Sequence, residues 1–321
     1  MSLYLVTGGS GFIGSNLVHA LVARGEQVRI LDNLSTGREI NIRGLLDDPA
    51  RGKQVELLRG DLTDPDILTR ALAGVDYILH QAALPSVPRS VDRPLDTNHV
   101  NVTGTLLLLE AARRQGKVRR LVMASSSSVY GERHPEEAKV ETMTPMPLSP
   151  YAVSKLTGEH YLLVYSRLHG LPTVALRYFN VFGPRQDPNS QYAAALPNFI
   201  RGYMRGQAAT IYGDGMQSRD FCFIENVVEA NLLACEAPAE RVTGQVCNIA
   251  CGDSISLLGV LDLLGEIFGQ RIPPQHLPGR PGDVRHSRAN IDKARALLGY
   301  QGRIKFAEGL RRTVAWYREQ T

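Results

Sequence analysis

A short apolar run, 3-LYLVTG-8, opens directly into 7-TGGSGFIGSN-16, and a helical pattern follows over 13–23. Gly8, Gly11 and Gly14 stand three residues apart in that turn, rather than at the G-x-G-x-x-G spacing. A strand that turns into a helix over such glycines has few folds open to it. One glycine permits the tight turn, one lets the backbone approach a phosphate, and one allows close helix packing. The helix N-terminus then offers free N–H groups and the positive end of its dipole to an anion. The second apolar run, 28-VRIL-31, ends at Asp32. A carboxylate about 20 residues past such a turn can hold a ribose 2′-hydroxyl and repels a 2′-phosphate. The stretch therefore predicts a dinucleotide site suited to NAD over NADP.

Further apolar runs follow at 55-VELLRG-60, 77-YILH-80, 120-RLVMAS-125 and 173-TVALRY-178. Helical patterns lie between them at 65–73, 101–115 and 151–169. Strands alternating with helices make βαβ units and a parallel sheet. Strands covered on both faces read as continuous apolar runs, as these do. The predicted fold is α/β, a Rossmann-type doubly wound parallel sheet with a smaller C-terminal α/β part. The cofactor domain spans about 1–178, and 221–251 returns to it through a helix at 225–236 and a strand at 245–250. The substrate domain takes 179–220 and about 252–321.

The remaining features are exclusions. With 321 residues, 43% hydrophobic and 21% charged, the chain can bury a large core. A net charge of +4 with scattered basic residues argues against a nucleic-acid partner. No apolar run approaches the roughly 20 residues of a membrane span, so no membrane partner is expected. Cys222, Cys235, Cys247 and Cys251 match no zinc spacing and read as buried free thiols, with no metal implied. A cytoplasmic enzyme is the expectation.

Tyr151 and Lys155 stand four residues apart in 149-SPYAVSKLTGEH-160. On a helix they share a face. A neighbouring ammonium favours phenolate, which predicts a lowered Tyr151 pKa and a usable proton acceptor.

Eight segments taken together resemble the extended short-chain dehydrogenase/reductase family, and within it the nucleotide-sugar 4-epimerases. They are 8-GGSGFIG-14, 60-GDLTD-64, 80-HQAALPSVPRS-90, 124-ASSSSVYGE-132, 149-SPYAVSKLTGE-159, 177-RYFNVFGPRQDP-188, 213-GDGMQSRDF-221 and 279-GRPGDVRHS-287. The resemblance covers essentially the whole chain. It implies that Tyr151 is the base, Lys155 its electrostatic partner and grip on the nicotinamide ribose, and Ser126 the hydroxyl that bonds the sugar O4. It places Asp61 and Leu62 at the adenine, and His80, Ala82, Ala83 and Asn101 along the cofactor. Phe12, Ile13, Asn33, Ser35, Thr36, Gly37, Ser125 and Tyr178 complete the implied cofactor set.

For the substrate the resemblance implies a UDP-sugar. Asn180, Arg219 and Arg280 match pyrophosphate-binding positions, where an arginine fork suits a phosphate. Asp283 reaches the uridine ribose, and the 211–215 stretch with Tyr212 edges the uracil. Ser127, Ser128, Pro85, Ser86 and Leu196 line the rest. Pro85 departs from relatives that carry lysine or glycine there. Ser287 holds the gatekeeper position, where relatives confined to UDP-glucose and UDP-galactose carry tyrosine. Serine leaves room for an acetamido group, so UDP-GlcNAc and UDP-GalNAc are expected substrates beside UDP-Glc and UDP-Gal. A role in polysaccharide synthesis and a homodimer built on two helices per subunit, 101–115 and 151–169, are implied as well.

Other readings are a 4,6-dehydratase or a uronate decarboxylase on the same fold, a UDP-glucuronate 4-epimerase and a non-catalytic binder. A 4,6-dehydratase needs an Asp-Glu pair where Ser127 and Ser128 stand. A UDP-glucuronate 4-epimerase needs polar groups for a C6 carboxylate, which the sequence does not identify. A non-catalytic binder needs a broken Ser/Tyr/Lys set, and Ser126, Tyr151 and Lys155 are all present.

Overall fold

The computed structural model describes residues 1–134, 137–187, 195–278 and 285–320. Six strands of the main sheet lie in the first part of the chain: β1 (Leu3–Thr7), β2 (Gln27–Asp32), β3 (Val55–Arg59), β4 (Tyr77–His80), β5 (Arg120–Ser126) and β6 (Thr173–Tyr178). A seventh, Gln245–Ile249, pairs with β6. The spatial order is Gln245–Ile249, β6, β5, β4, β1, β2, β3, and every pairing is parallel.

Successive strand residues point to opposite faces, and two cores result. Leu5, Leu31, Ile78, Leu121 and Met123 meet Leu68, Leu108 and Leu162, from the helices Pro65–Leu72, Gly104–Gln115 and Pro150–His169. Val6, Ile30, Leu79, Val122 and Leu176 face the other way. They meet Leu17 and Leu21 of α1 (Phe12–Ala23) and Val227 of the helix Ile224–Glu236.

Chain order reverses between β1 and β4, so a crevice opens where their carboxyl ends part. Thr7 pairs with both Leu31 and His80, and Ser126 with Tyr178, which brings these strand ends to one rim.

The helix Pro150–His169 starts on Ser149, whose hydroxyl accepts the Ala152 N–H at 3.2 Å, with proline in its first turn. It stops at Gly170 in the left-handed region (φ +65°). The helix expected over 101–115 is present, and a π-turn over His99–Thr103 leads without a break into its α-helical part, Gly104–Gln115. That turn carries Asn101 inward, where its side chain bonds Leu84 N and O at 2.8 and 3.3 Å.

The C-terminal part is built from short pairings. Ser218–Arg219 pairs antiparallel with Ile255–Ser256 and parallel with His286–Ser287, and Thr210–Tyr212 pairs with Gln275–Leu277. The four cysteines are free and buried. Among the described residues no helix is long and apolar enough to cross a membrane, and no cluster of His, Cys, Asp or Glu could hold a metal.

Candidate active site

A cavity of about 670 Å³ follows the rim of the sheet. Its glycine turn is fixed by steric necessity. Gly8 sits at φ +68°, and a Cβ there would meet the Ala82 backbone at 2.8 Å. A Cβ on Gly14 would lie 2.1 Å from the Gly8 carbonyl oxygen. The Asp32 carboxylate accepts the Ser10 and Leu34 N–H groups at 2.9 and 2.8 Å, which aims it along the turn. A Cβ on Gly37 would strike that carboxylate at 2.7 Å.

Gly8, Gly11, Phe12, Ile13, Gly14, Asp32, Asn33, Ser35, Thr36, Gly37, Asp61 and Leu62 line this half of the cavity. Ala82, Ala83, Pro85, Ser86, Ser125, Tyr151, Lys155 and Tyr178 line the other half. A backbone cradle free of Cβ atoms, followed by a carboxylate at the next strand end, fits the pyrophosphate and adenosine ribose of NAD.

Two residues expected along the cofactor stand behind the wall instead. His80 is buried between Thr7 Oγ1 at 2.7 Å and Thr105 Oγ1 at 2.9 Å. Burial, with the nearby Lys155 charge, pushes it down to about 3, so the ring is neutral and ties β1 and β4 to the helix Gly104–Gln115. Asn101 bonds Leu84 and, at 3.0 Å, Ser154 Oγ.

Tyr151 and Lys155 occupy successive turns of one helix face. The Lys155 ammonium donates to Ala124 O at 3.0 Å and lies 6.0 Å from the Tyr151 ring centroid. The expected lowering of the phenol pKa is corrected here. Burial pushes Tyr151 above the ordinary phenol value, and a hydrogen bond with Ser126 offsets only part of that. Burial likewise pushes Lys155 down to about 8. Both groups are held in their neutral-favouring surroundings, poised for a ligand that brings charge.

Ser126 ends β5 in extended conformation, and its oxygen accepts the Ser128 N–H at 3.2 Å. Ser127 and Ser128 follow in a 3₁₀ turn.

Of the residues expected to meet the substrate, Asn180, Arg219 and Ser287 come from three segments and gather at one junction. Arg219 and Ser287 are register partners, and the Asn180 side chain donates to Asp220 O at 3.1 Å. Leu196 is buried in the helix Ala195–Met204, and Tyr212 ends Thr210–Tyr212. Arg280 and Asp283 lie outside the described residues.

Sequence reasoning missed part of the wall. Arg38, Gln81, Arg89, Arg185 and Asp187 also line the cavity. Arg38 pairs with Asp187 at 3.4 Å, and Arg185 donates to Asn16 Oδ1 at 2.8 Å. These contacts tie the 183–187 segment to α1 and to the loop after β2. Its only sequence signal was its place inside 177-RYFNVFGPRQDP-188.

The model of the NAD dependent epimerase/dehydratase family matches residues 4–250. A UDP-glucose 4-epimerase of Mycolicibacterium smegmatis is 40% identical, with 99% of each chain covered. Among solved structures, a UDP-N-acetylglucosamine 4-epimerase from Methanobrevibacter ruminantium M1, in complex with UDP-N-acetylmuramic acid, is 39% identical. It superposes with a TM-score of 0.90 over 100% of this chain and 99% of that one. A UDP-glucuronic acid 4-epimerase from Bacillus cereus, in complex with UDP-glucuronic acid and NAD, is 33% identical with a TM-score of 0.90 over 99% and 100%. With a glycine cradle, an aspartate at the second strand end and Tyr151 and Lys155 on one cavity wall, the chain belongs to the NAD dependent epimerase/dehydratase family.

Proposed function

We propose that this protein is a UDP-hexose 4-epimerase that interconverts UDP-GlcNAc with UDP-GalNAc, and UDP-Glc with UDP-Gal, through a transient 4-keto sugar. The observation that carries the reading is Tyr151 on the cavity wall, close enough to Ser126 to feel its hydroxyl and one helical turn from Lys155.

A 4-epimerase must invert a carbon whose hydrogen is not acidic, because no adjacent group stabilises the carbanion. NAD, when bound, supplies an acceptor that takes the C4 hydrogen as hydride and returns it. The chain's own groups handle the proton and the geometry. Tyr151 takes the O4 proton and later gives it back, and Ser126 holds O4 by a hydrogen bond. Lys155 grips the nicotinamide ribose and adds positive charge beside the phenol. Arg219 and Asn180 anchor the UDP, so the planar 4-keto sugar turns about a fixed point and presents its other face. Arg280 and Asp283 join this set in the reading.

Ser287 supports the acetamido sugars. It is in register with Arg219, and a serine there is far smaller than the tyrosine of relatives confined to UDP-glucose and UDP-galactose. Residues 1–178 with 221–251 carry the cofactor in this reading, and 179–220 with 252–321 carry the nucleotide sugar. The helix Pro150–His169 exposes Val153, Val164 and Leu168, which fits burial in a homodimer. Four reduced, buried thiols fit a cytoplasmic enzyme.

The test is to incubate purified protein, without added cofactor, separately with UDP-GlcNAc, UDP-Glc and UDP-glucuronate, and to follow C4 inversion by proton NMR. Conversion of UDP-GlcNAc to UDP-GalNAc is the expected result. Conversion of UDP-Glc alone discards the role given to Ser287, and conversion of UDP-glucuronate alone moves the enzyme to the uronates. Light scattering reads the dimer.

A further inference from the structure

Asn180, Arg219 and Ser287 meet at Asp220, a residue that no role described so far uses. Asp220 has no exposed surface. Its N–H donates to Ser287 O at 2.7 Å, and its carbonyl accepts the Asn180 side-chain amide at 3.1 Å. Arg219 precedes it in the chain. Its carboxylate accepts three more bonds, all from backbone: Cys251 N at 3.0 Å, Gly252 N at 3.1 Å and Ala289 N at 3.1 Å. Cys251 and Gly252 follow the strand Gln245–Ile249 after one intervening residue, so this one carboxylate ties the main sheet to both short strands of the substrate side. Bonds from N–H groups to an ionised acceptor are the strong kind, and a buried carboxylate needs several to stay ionised.

We infer that Asp220 is a positioning residue of the nucleotide-sugar site. It touches no ligand, and it fixes Asn180, Arg219 and Ser287 relative to one another and to the sheet. The ionised carboxylate therefore sets affinity for the UDP-sugar rather than the rate of the chemical step. The inference rests on the reading that those three residues face the substrate.

A pH signature follows. Burial pushes Asp220 up to about 6. Protonation replaces an acceptor with a donor facing backbone N–H groups, so the junction loosens as pH falls through that value. The other titratable groups around it are Cys222, Cys251, Tyr300 and Asp253. His286 bonds the Ser218 hydroxyl at 2.9 Å on the paired strand. His286→Gln removes that imidazole and serves as the control.

The experiment measures KM and kcat for UDP-GlcNAc or UDP-Glc between pH 5.5 and 7.5, with bound NAD per chain, for wild type, Asp220→Asn and His286→Gln. At pH 7.5 Asp220→Asn is expected to raise KM about tenfold, with kcat within about twofold and NAD content unchanged. Wild-type KM is expected to rise as pH falls through about 6, His286→Gln to keep that rise, and Asp220→Asn to lose it. An unchanged KM in folded Asp220→Asn overturns the inference. So does a joint fall of kcat, affinity and NAD content, or a flat wild-type KM. If Asp220→Asn does not fold, the wild-type and His286→Gln pH series decides. If wild type turns over neither sugar, the epimerase reading is what fails. Calorimetric binding of UDP to wild type and Asp220→Asn then decides on Asp220 alone, equal affinities overturning it.

Discussion

Glu159 takes two nitrogens of Arg177, at 2.8 and 2.7 Å, in an ion pair whose side chains are 4% and 5% exposed. It stands one turn beyond Lys155 and two beyond Tyr151 on the same helix, and it also accepts the Ser125 hydroxyl. The Ser125–Glu159 bond thus ties the strand end that carries Ser126 to the helix that carries Tyr151. Removing one partner strands a buried charge, so Glu159→Ala is expected to destabilise by about 3–5 kcal/mol in urea unfolding. A Glu159→Leu/Arg177→Met pair, which removes both charges, is expected to recover most of that stability while kcat stays low. Recovery of kcat along with stability would show that the pair holds only the fold.

Gly14→Ala tests the cofactor cradle. The new methyl would sit 2.1 Å from Gly8 O, so the turn must open. NAD retained after gel filtration is expected to fall at least about tenfold. Gly25→Ala is the control, because Gly25 has φ +79° but open space around it. It is expected to lose about 1 kcal/mol of stability and to keep its NAD.

Lys155 stores the conflict between stability and chemistry. Its ammonium titrates at about 8 in the fold, below the usual lysine value of about 10.4. Between those values the unfolded chain binds more protons, so stability of the cofactor-free protein rises with pH. Lys155→Met is expected to end turnover and yet to stabilise the stripped protein by about 1 kcal/mol at pH 7, after the lost bond to Ala124 O is counted. That gain is expected to vanish by about pH 10 in paired thermal melts. A loss of stability at pH 7 would contradict the account.

Ser287→Tyr addresses specificity. The tyrosine would add an aromatic ring on the strand paired with Arg219. kcat/KM is expected to fall at least about tenfold for UDP-GlcNAc and much less for UDP-Glc. Equal losses would remove Ser287 from the specificity argument.

The cofactor half was legible because its signals are local. The short apolar runs, the helical patterns between them, the glycines at 8, 11 and 14 and the aspartate at 32 each report on an element, a turn or a strand end within reach of their own neighbours. Long-range burial was not legible. Nothing near position 80 or 101 says that these side chains bond Thr7, Thr105, Leu84 and Ser154 behind the wall. The Tyr151–Lys155 spacing gave the shared face but not the depth of burial, and depth decided the direction of both shifts. Asp220 reads in sequence as one acid in QSRDF, and only the fold brings three backbone N–H groups to it.

The central claim is that hydrogen leaves C4 as hydride and returns to the same carbon within one enzyme-bound pair. The direct measurement is turnover of UDP-GlcNAc, or of UDP-Glc, carrying deuterium at C4 in ordinary water, with the label read by proton and deuterium NMR. The account predicts epimerised product with the deuterium retained at C4 and no net reduced cofactor. Deuterium lost to solvent during epimerisation would mean that C4 is inverted by proton exchange, and the hydride account would be wrong.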